Sequence, residues 1–174
     1  MQKPSETEIG NMPLNPHQTE QLLKGINPSR VASRRGGGGK SLAYVEAYDI
    51  KAHMIRIFGF AEWSWDVLEA SCAYAIAPDG TERNWKVGYR VIGRLTILDT
   101  GATYTEAAVG MANLPDVGEA HDMAVKTAES DAFKRAAINL GDQFGLSLYN
   151  NGQIAPVVIA TIGASDGQTT EEGK

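Results

Sequence analysis

The chain has 174 residues, 43% of them hydrophobic, which is enough for one globular core, and it contains no run of about 18 apolar residues that would cross a membrane. Its polar N-terminus lacks the apolar segment of a secretory signal, and its single cysteine excludes an internal disulfide framework, so we expect a soluble, cytoplasmic protein. The formal net charge of −5 does not exclude a nucleic-acid partner, because residues 21–150 carry 14 basic and 15 acidic residues and a near-neutral core can still present a basic stripe.

The first third of the chain predicts a polar tail, two helices, a connector and a short strand. Asn and Pro are typical of a helix start, and Gly of a helix end. The predicted elements are, in order, a mobile tail over 1–14, a helix over 17–24, an irregular connector over 27–39, a short strand over 42–45 and a helix over 46–58.

Within the connector begins the stretch RRGGGGKS, residues 34–41, which has the outline of a nucleotide-binding loop. Such a loop requires Gly, four residues, and then Gly-Lys-Ser/Thr, because its backbone N–H groups surround phosphates. Counting back from Gly39, the position that requires glycine holds Arg34, and the preceding residues are polar and broken by Pro28 rather than a buried strand. We therefore interpret the match to a nucleotide loop as accidental.

The middle third changes from a helical to an alternating period. Apolar residues alternate over 63–76, with one interruption that predicts a bulge, and they occupy the odd positions over 85–97. Turn residues lead into a third strand over 103–111. We predict a three-stranded antiparallel meander whose second strand carries basic residues on its even face, at Lys86, Arg90 and Arg94.

The last third predicts a long helix over 116–140, which Gly141 ends. Alanines dominate its periodic face, so that it can lie close to a sheet. After residue 150 a brief apolar run leads into a Gly-, Ser-, Thr- and Glu-rich end, which predicts a largely disordered tail over 151–174. The predicted fold class is α+β: a β meander followed by a long α-helix, with N-terminal helices, in one domain over 15–150.

Residues suited to catalysis or metal binding form no clear constellation. The three histidines, His17, His53 and His121, lie far apart and show no metal-ligand spacing. Glu119, His121 and Asp122 are close neighbours on the predicted helix, where such neighbours do not face one another. Acids at a helix start are favourable to its dipole. We therefore predict no catalytic residue, no metal and no cofactor.

Basic residues among aromatic and small residues are the stronger signal. Single-stranded nucleic acid requires cations that neutralise its phosphates, with few base-edge contacts where sequence is unimportant. Lys126, Lys134 and Arg135 lie among alanines on the predicted helix, and Arg34 precedes glycines that would let a phosphodiester approach the backbone. An ordinary helix face is the alternative, because Asp131 has the spacing to pair with Lys134 and Arg135.

Three stretches carry the pattern of a known family. KTAESDAFKRAAINLGDQFGLSLY, residues 126–149, holds a lysine, acids and Lys-Arg-Ala on a helix that closes with a glycine turn. SRRGGGGKSLAYVEAYDIKAHMIRIFGFAEWSWDV, residues 33–67, holds an arginine, a glycine-rich turn, Tyr-Val-Glu, a helix and Phe-Gly-Phe-x-x-Trp. RLTILDTGATYTEAAVGMA, residues 94–112, holds a strand, an Asp-x-Gly turn and a strand. In this order and spacing, over about residues 26–149, the motifs resemble the Rad52 family of single-strand annealing recombinases.

The resemblance implies both a fold and a function. The family's annealing domain has a β-β-β-α core, and its subunits assemble side by side into a ring. Single-stranded DNA lies in a basic groove around that ring, backbone inward and bases outward, and no nucleotide is hydrolysed. The resemblance thus implies an ATP-independent protein, not an enzyme, that anneals complementary strands in homologous recombination and double-strand-break repair. Its expected partners are single-stranded DNA, further copies of itself, and a single-strand-binding protein or an exonuclease, with no membrane.

The resemblance also implies the site residues. Arg34 occupies the position of the family's arginine before the glycines, Tyr44 that of its tyrosine and Lys126 that of its upstream lysine. Lys134 and Arg135 match its Lys-Arg pair. We expect the four cations to contact phosphates and Tyr44 to shape the groove. Two weaker candidates lie in the glycine-rich stretch, Arg35 and Lys40.

The chain departs from the family pattern at three positions. Ile138 stands where eukaryotic members place another groove arginine, and Asp99 where they place a basic residue of an outer DNA site. Gly110-Met-Ala replaces the expected Gly-x-Gly. The departures predict weaker binding in the groove and an outer site that is missing or built differently, from Lys86, Arg90 and Arg94.

We expect a compact protein without the long C-terminal half of eukaryotic members, which suits the cytoplasm of a bacterial or phage-infected cell. Three alternatives stay open. The chain could be a nucleotide hydrolase using Lys40 and Ser41, a passive single-strand-binding or replication-accessory protein, or a structural oligomer whose cations serve only ion pairs.

Overall fold

A computed structural model describes residues 14–35, 41–149, 154–155 and 157–158. Short 3-10 turns cover Pro28–Arg30, Ile138–Leu140, Asp142–Phe144 and Leu146–Tyr149. The helices and strands are α1 (Pro16–Leu23), β1 (Ala32–Arg35), β2 (Ser41–Tyr44), α2 (Ala47–Phe58), β3 (Trp63–Ile76), β4 (Trp85–Ile97), β5 (Ala102–Leu114) and α3 (Val117–Ala137).

The central sheet is a three-stranded antiparallel meander in the order β3-β4-β5. β3 carries register shifts between Val67 and Glu69 and between Cys72 and Tyr74, the first of them where the sequence predicts a bulge. The third strand extends beyond its predicted limits, from residue 102 to residue 114. The predicted sheet followed by a long helix is thereby confirmed.

α3 lies across one face of the sheet at very short range. Asp116 caps its start by accepting a hydrogen bond from the Glu119 N–H at 2.8 Å. On β5, a β-carbon built at Gly110 would lie 2.3 Å from the carbonyl oxygen of Ala124 and from the backbone nitrogen of Ala128. Small residues on both elements are what permit this contact, and the buried alanines recur every fourth residue, at 120, 124, 128, 132 and 136.

A second part of the core joins the sheet to α2. The apolar face predicted for this helix, with Ile50, Met54 and Ile57, is buried. Phe133 of α3 lies against it, with its ring centroid 5.2 Å from that of Trp65 and 6.1 Å from that of Trp63. α2 is therefore fixed to the same side of the sheet as α3.

The connector predicted over 27–39 is corrected by the structure. Its residues 28–30 form a 3-10 turn, and β1 pairs antiparallel with β2, with Arg34 opposite Leu42. The sequence gives no alternating signal there, because β1 is exposed after its first residue. β1 is extended because it pairs with β2, and not because one of its faces is buried.

The chain after Tyr149 is described only at four positions. Ile154 packs against the core, and the Val158 N–H donates to the buried Asp142 carboxylate at 3.4 Å. The predicted domain limits at 15 and 150 stay predictions, because residues 1–13 and most of 150–174 lie outside the described part. Within the described part, no helix is long and apolar enough to cross a membrane.

Candidate nucleic-acid interface

A cavity of about 980 Å³, here called the groove, lies between the β1–β2 pair and the C-terminal half of α3. Arg34 and Tyr44 line it from the strands, and Lys134 and Arg135 from the helix. A smaller cavity of about 310 Å³ shares Arg34, Tyr44 and Lys134 and adds Lys126. The five residues that the family resemblance singles out are thus brought together, although they come from distant parts of the chain.

Tyr44 is the point at which the strands and the helix meet. Its ring centroid lies 5.5 Å from Cζ of Arg34 and 5.9 Å from Nζ of Lys134, distances at which a cation is attracted to an aromatic face. Its hydroxyl donates to the Glu46 carboxylate at 2.8 Å, and this hydrogen bond raises the pKa of the Tyr44 phenol. Tyr44 therefore stays neutral and holds two cations beside one ring.

A half-buried polar network surrounds Arg30, which lies two residues before the start of β1. The Arg30 guanidinium donates to the Asp49 carboxylate at 2.7 Å and to the Gln143 side-chain oxygen at 3.0 Å. The Gln143 amide donates in turn to the carbonyls of Lys24 and Gly25, at 2.9 and 2.8 Å. These bonds connect the 3-10 turn before β1 to α2, to the segment after α1 and to the turn after α3, and so they fix the chain that leads into the strand of Arg34.

The cations on α3 each have a carboxylate partner. Lys126 pairs with Asp122 at 2.6 Å and Lys134 with Asp131 at 2.7 Å. Arg135 reaches across to Glu106 of β5 at 3.4 Å, and not to Asp131 as its helical spacing suggests. The contacts on α3 are therefore consistent with the alternative hypothesis that these cations serve ordinary ion pairs. Among the described residues no carboxylate lies within ion-pair distance of Arg34.

Of the two weaker candidates in the glycine-rich stretch, only Arg35 belongs to the described residues. Arg35 is exposed at the end of β1 and is absent from the lining. Lys40 lies outside the described residues, as do the four glycines before it. A nucleotide loop would link a buried strand to a helix, whereas β1 is exposed and Ser41 begins a strand that pairs back onto it.

The basic residues proposed for a second DNA site belong to the sheet face that points away from α3. Lys86 pairs with Glu82, and Arg90 pairs with Glu69, a hydrogen bond that lowers the pKa of the Glu69 carboxyl. Arg94 is exposed. Arg90 also lines the groove, so one of the three lies with the first group of cations.

Sequence reasoning missed the apolar lining of the groove. Leu42, Val109 and Tyr149 are exposed large side chains that line the groove together with its cations. Ile138, which the resemblance already places at a groove position, lines it as well. Leu42 and Val109 could have been found from the strand alternation, which places them on the side away from the core. Tyr149 lies in an irregular segment whose sequence carries no period.

The residues weighed as metal ligands have other contacts. Nδ1 of His121 lies 3.0 Å from the Tyr89 hydroxyl, and Asp122 is paired with Lys126. Within the described ranges, no group of three or more His, Cys, Asp or Glu side chains is placed to hold a metal ion.

The sequence of this chain is similar to those of known DNA repair proteins. Residues 16–161 match the model of a family described as "Rad52/22 family double-strand break repair protein". The chain is similar to the DNA repair and recombination protein rti1 of Schizosaccharomyces pombe, with 30% identity over 141 residues, which cover 80% of this chain and 37% of that protein. The protein rad22 of the same organism is 30% identical over 132 residues, which cover 74% and 27%. RAD52 of Saccharomyces cerevisiae is 27% identical over 140 residues, which cover 79% and 28%. The chain thus spans roughly a quarter to just over a third of the length of these relatives.

Proposed function

The chain belongs to the Rad52/22 family of double-strand break repair proteins, and from that premise we propose that it acts in DNA recombination and repair by binding single-stranded DNA in the groove. It then brings complementary strands together without hydrolysing a nucleotide. The relatives' names refer to DNA repair and recombination. Because the chain spans only part of those relatives, their activities are carried over here as a proposal.

One observation carries the proposal: Arg34 and Lys134 lie beside the same aromatic ring, Tyr44, although 100 residues separate them. Two cations held close together repel each other, whereas a phosphate between them would be attracted by both. Lys126 and Arg135 continue the basic wall along α3. A strand that follows this wall would exchange its condensed counterions for fixed cations, which is the main source of affinity without sequence preference.

The proposal includes assembly into a homo-oligomeric ring. β3 and β5 are the two edges of the described sheet, and long edges are surfaces through which copies of one chain can associate head to tail. The further expected partners, a single-strand-binding protein or an exonuclease, stay predictions, and so does a location in the cytoplasm of a bacterial or phage-infected cell. The possible second DNA site at Lys86, Arg90 and Arg94, and the roles of Arg35 and Lys40, also remain proposals.

The test is the annealing of two complementary oligonucleotides, with neither nucleotide nor metal added. We expect the wild-type protein to accelerate pairing and Lys134→Ala/Arg135→Ala to lose that acceleration. The matched control is Lys24→Ala/Arg56→Ala, which removes two exposed cations outside the groove and should anneal as the wild type does. In a salt titration of single-strand binding, the groove variant should lower the slope of log K against log salt by about 1.4, because two phosphate contacts are lost.

Each other outcome has a definite meaning. Binding to single strands without faster pairing would leave a passive single-strand-binding protein. If Lys134→Ala/Arg135→Ala annealed strands as fast as Lys24→Ala/Arg56→Ala, the α3 cations would serve only their ion pairs. No binding at low salt, where phosphate contacts are strongest, would remove the proposed function altogether.

A further inference from the structure

Asp142 is the only acidic side chain among the described residues that is completely buried. Its Oδ2 accepts a hydrogen bond from the Val158 N–H at 3.4 Å, which is long for such a bond, and its Oδ1 has no hydrogen-bond partner. A buried carboxylate normally has several donors or a cation beside it, because its removal from water is costly. Asp142 is also absent from the groove's lining. Its burial therefore costs free energy and serves no contact with DNA.

The group that covers Asp142 belongs to the segment after Tyr149. The described residues of this segment, 154–155 and 157–158, are here called the strap. Ile154 packs against the core, and Cγ2 of Val158 would lie 3.6 Å from a β-carbon built at Gly141. These apolar contacts favour the closed strap, whereas the desolvation of the Asp142 carboxylate opposes it. The closed and open strap are therefore close in free energy.

The turn that the strap contacts continues into the groove. Two 3-10 turns follow one another, Asp142–Phe144 and Leu146–Tyr149, and they contribute Phe144, Leu148 and Tyr149 to the groove's lining. A closed strap holds the start of these turns in place, and an open strap leaves them free to shift. A change at the buried carboxylate can thus reach the groove without any contact between that carboxylate and DNA.

Resting on the proposed function, we propose that Asp142 and the strap form a conformational switch that sets how fast the groove releases a bound strand. The buried charge keeps the closed strap only slightly favoured, so that the strap opens repeatedly and the groove wall loosens with it. A protein that pairs strands must also let go of its product. A permanently closed wall would hinder that release, and Asp142 prevents it.

Three substitutions separate this switch from a simple effect on stability. Asp142→Asn keeps an acceptor for the Val158 N–H and removes the charge, so the strap should close more tightly. Ser147→Ala is the matched control, because it also removes a fully buried polar atom without a partner, the Ser147 Oγ. Both variants should raise the midpoint of chemical denaturation, but only the first should tighten the strap. Ile154→Ser weakens the strap's apolar contact without any change in net charge.

Strap opening is measured by hydrogen exchange of the full chain, followed by mass spectrometry in the peptide that contains Val158. We expect this exchange to slow on the order of fivefold in Asp142→Asn, to accelerate in Ile154→Ser and to stay unchanged in Ser147→Ala. Release of a labelled oligothymidine strand into an excess of unlabelled strand should follow the same order. The slower release by Asp142→Asn should persist at high salt, where the lost negative charge no longer acts on DNA at a distance.

Unchanged exchange in Asp142→Asn would overturn the switch, and so would strand release by Ile154→Ser at the wild-type rate. Equal slowing by Ser147→Ala would mean that stability alone sets both rates, which also contradicts the switch. Failure of the wild type to bind the strand would remove the proposed function and, with it, a role of the strap in strand release. The exchange results would still decide whether Asp142 controls the strap, so the two failures are distinguishable.

Discussion

The groove's cations on α3 are paired with carboxylates before any DNA arrives. Asp131 holds Lys134 at 2.7 Å, and both side chains are largely shielded, with 32% and 24% of their surfaces exposed. Asp131 also lines the groove, so a phosphate that approaches Lys134 must both displace this carboxylate and tolerate its charge. The α3 side of the free groove is thus nearly neutralised by carboxylates, whereas Arg34 has no carboxylate within ion-pair distance among the described residues.

The substitution Asp131→Asn should therefore tighten single-strand binding. An ion pair of this kind is worth about 0.2–1 kcal/mol, so the gain should be up to about fivefold, and it should shrink as salt screens the remaining charges. The measurement is a salt series of binding isotherms. Glu129→Gln, on the same helix but outside the groove, makes the same change in net charge and should have little effect. Weaker binding by Asp131→Asn would show that Asp131 is needed to orient Lys134.

At the scale of elements, the groove depends on how closely α3 approaches β5. Glu106 of β5 reaches Arg135, and the alanine face of α3 lies directly on the strand. No side chain separates the two backbones at Gly110. A change in that spacing moves the helix that carries Lys126, Lys134 and Arg135.

We expect Gly110→Ala to destabilise the fold. Its new β-carbon would meet backbone atoms of Ala124 and Ala128, which cannot turn away as a flexible side chain could, and overpacking of this kind costs about 1–3 kcal/mol. Chemical denaturation of the variant should show a lower midpoint. Gly118→Ala, in the first turn of α3, meets no backbone atom but only the capping Oδ1 of Asp116 at 3.2 Å, so it should lower the midpoint less than Gly110→Ala does. An unchanged midpoint for Gly110→Ala would mean that helix and strand are not packed this closely.

The elements differ in how far their sequences predict them. β4 is predictable because its odd residues are apolar and buried, and α3 because its alanines repeat at helical spacing. β1 is not, because Ala-Ser-Arg-Arg has no apolar alternation and gains its conformation by pairing with β2. The same limit applies to the site. Spacing along one helix predicts the Asp131–Lys134 pair, but only the packing of β5 against α3 gives Arg135 its partner Glu106.

At the scale of the whole molecule, the two sheet edges are protected to different extents. β3 is interrupted by two register shifts and carries Asp66 and Glu69, features that discourage pairing with another strand. β5 has 13 residues, no proline and a single charged residue, Glu106. Its face away from α3 also exposes Met111, outside the groove lining. A long, nearly uncharged and partly apolar edge of this kind is expected to be covered by another copy of the chain.

Met111→Lys should therefore reduce the oligomeric mass. Met111 is 67% exposed, so a lysine is tolerated in a free subunit but would place a charge in an interface. Light scattering should detect smaller species for this variant. Met123→Lys makes the same substitution at a 52% exposed position on α3 and should leave the mass unchanged. A monomeric wild type, or the same mass for both variants, would contradict assembly through this edge.

The loss of assembly should act differently on strands of different length. A single groove holds only a few phosphates, whereas linked grooves bind one long strand with the advantage of a high effective concentration. Met111→Lys should accordingly bind a short oligonucleotide nearly as well as the wild type does, because its groove cations are intact. It should bind a long strand much more weakly and anneal slowly, since few bases are then held ready to pair. Equal losses on short and long strands would instead indicate that the substitution disturbs the groove itself.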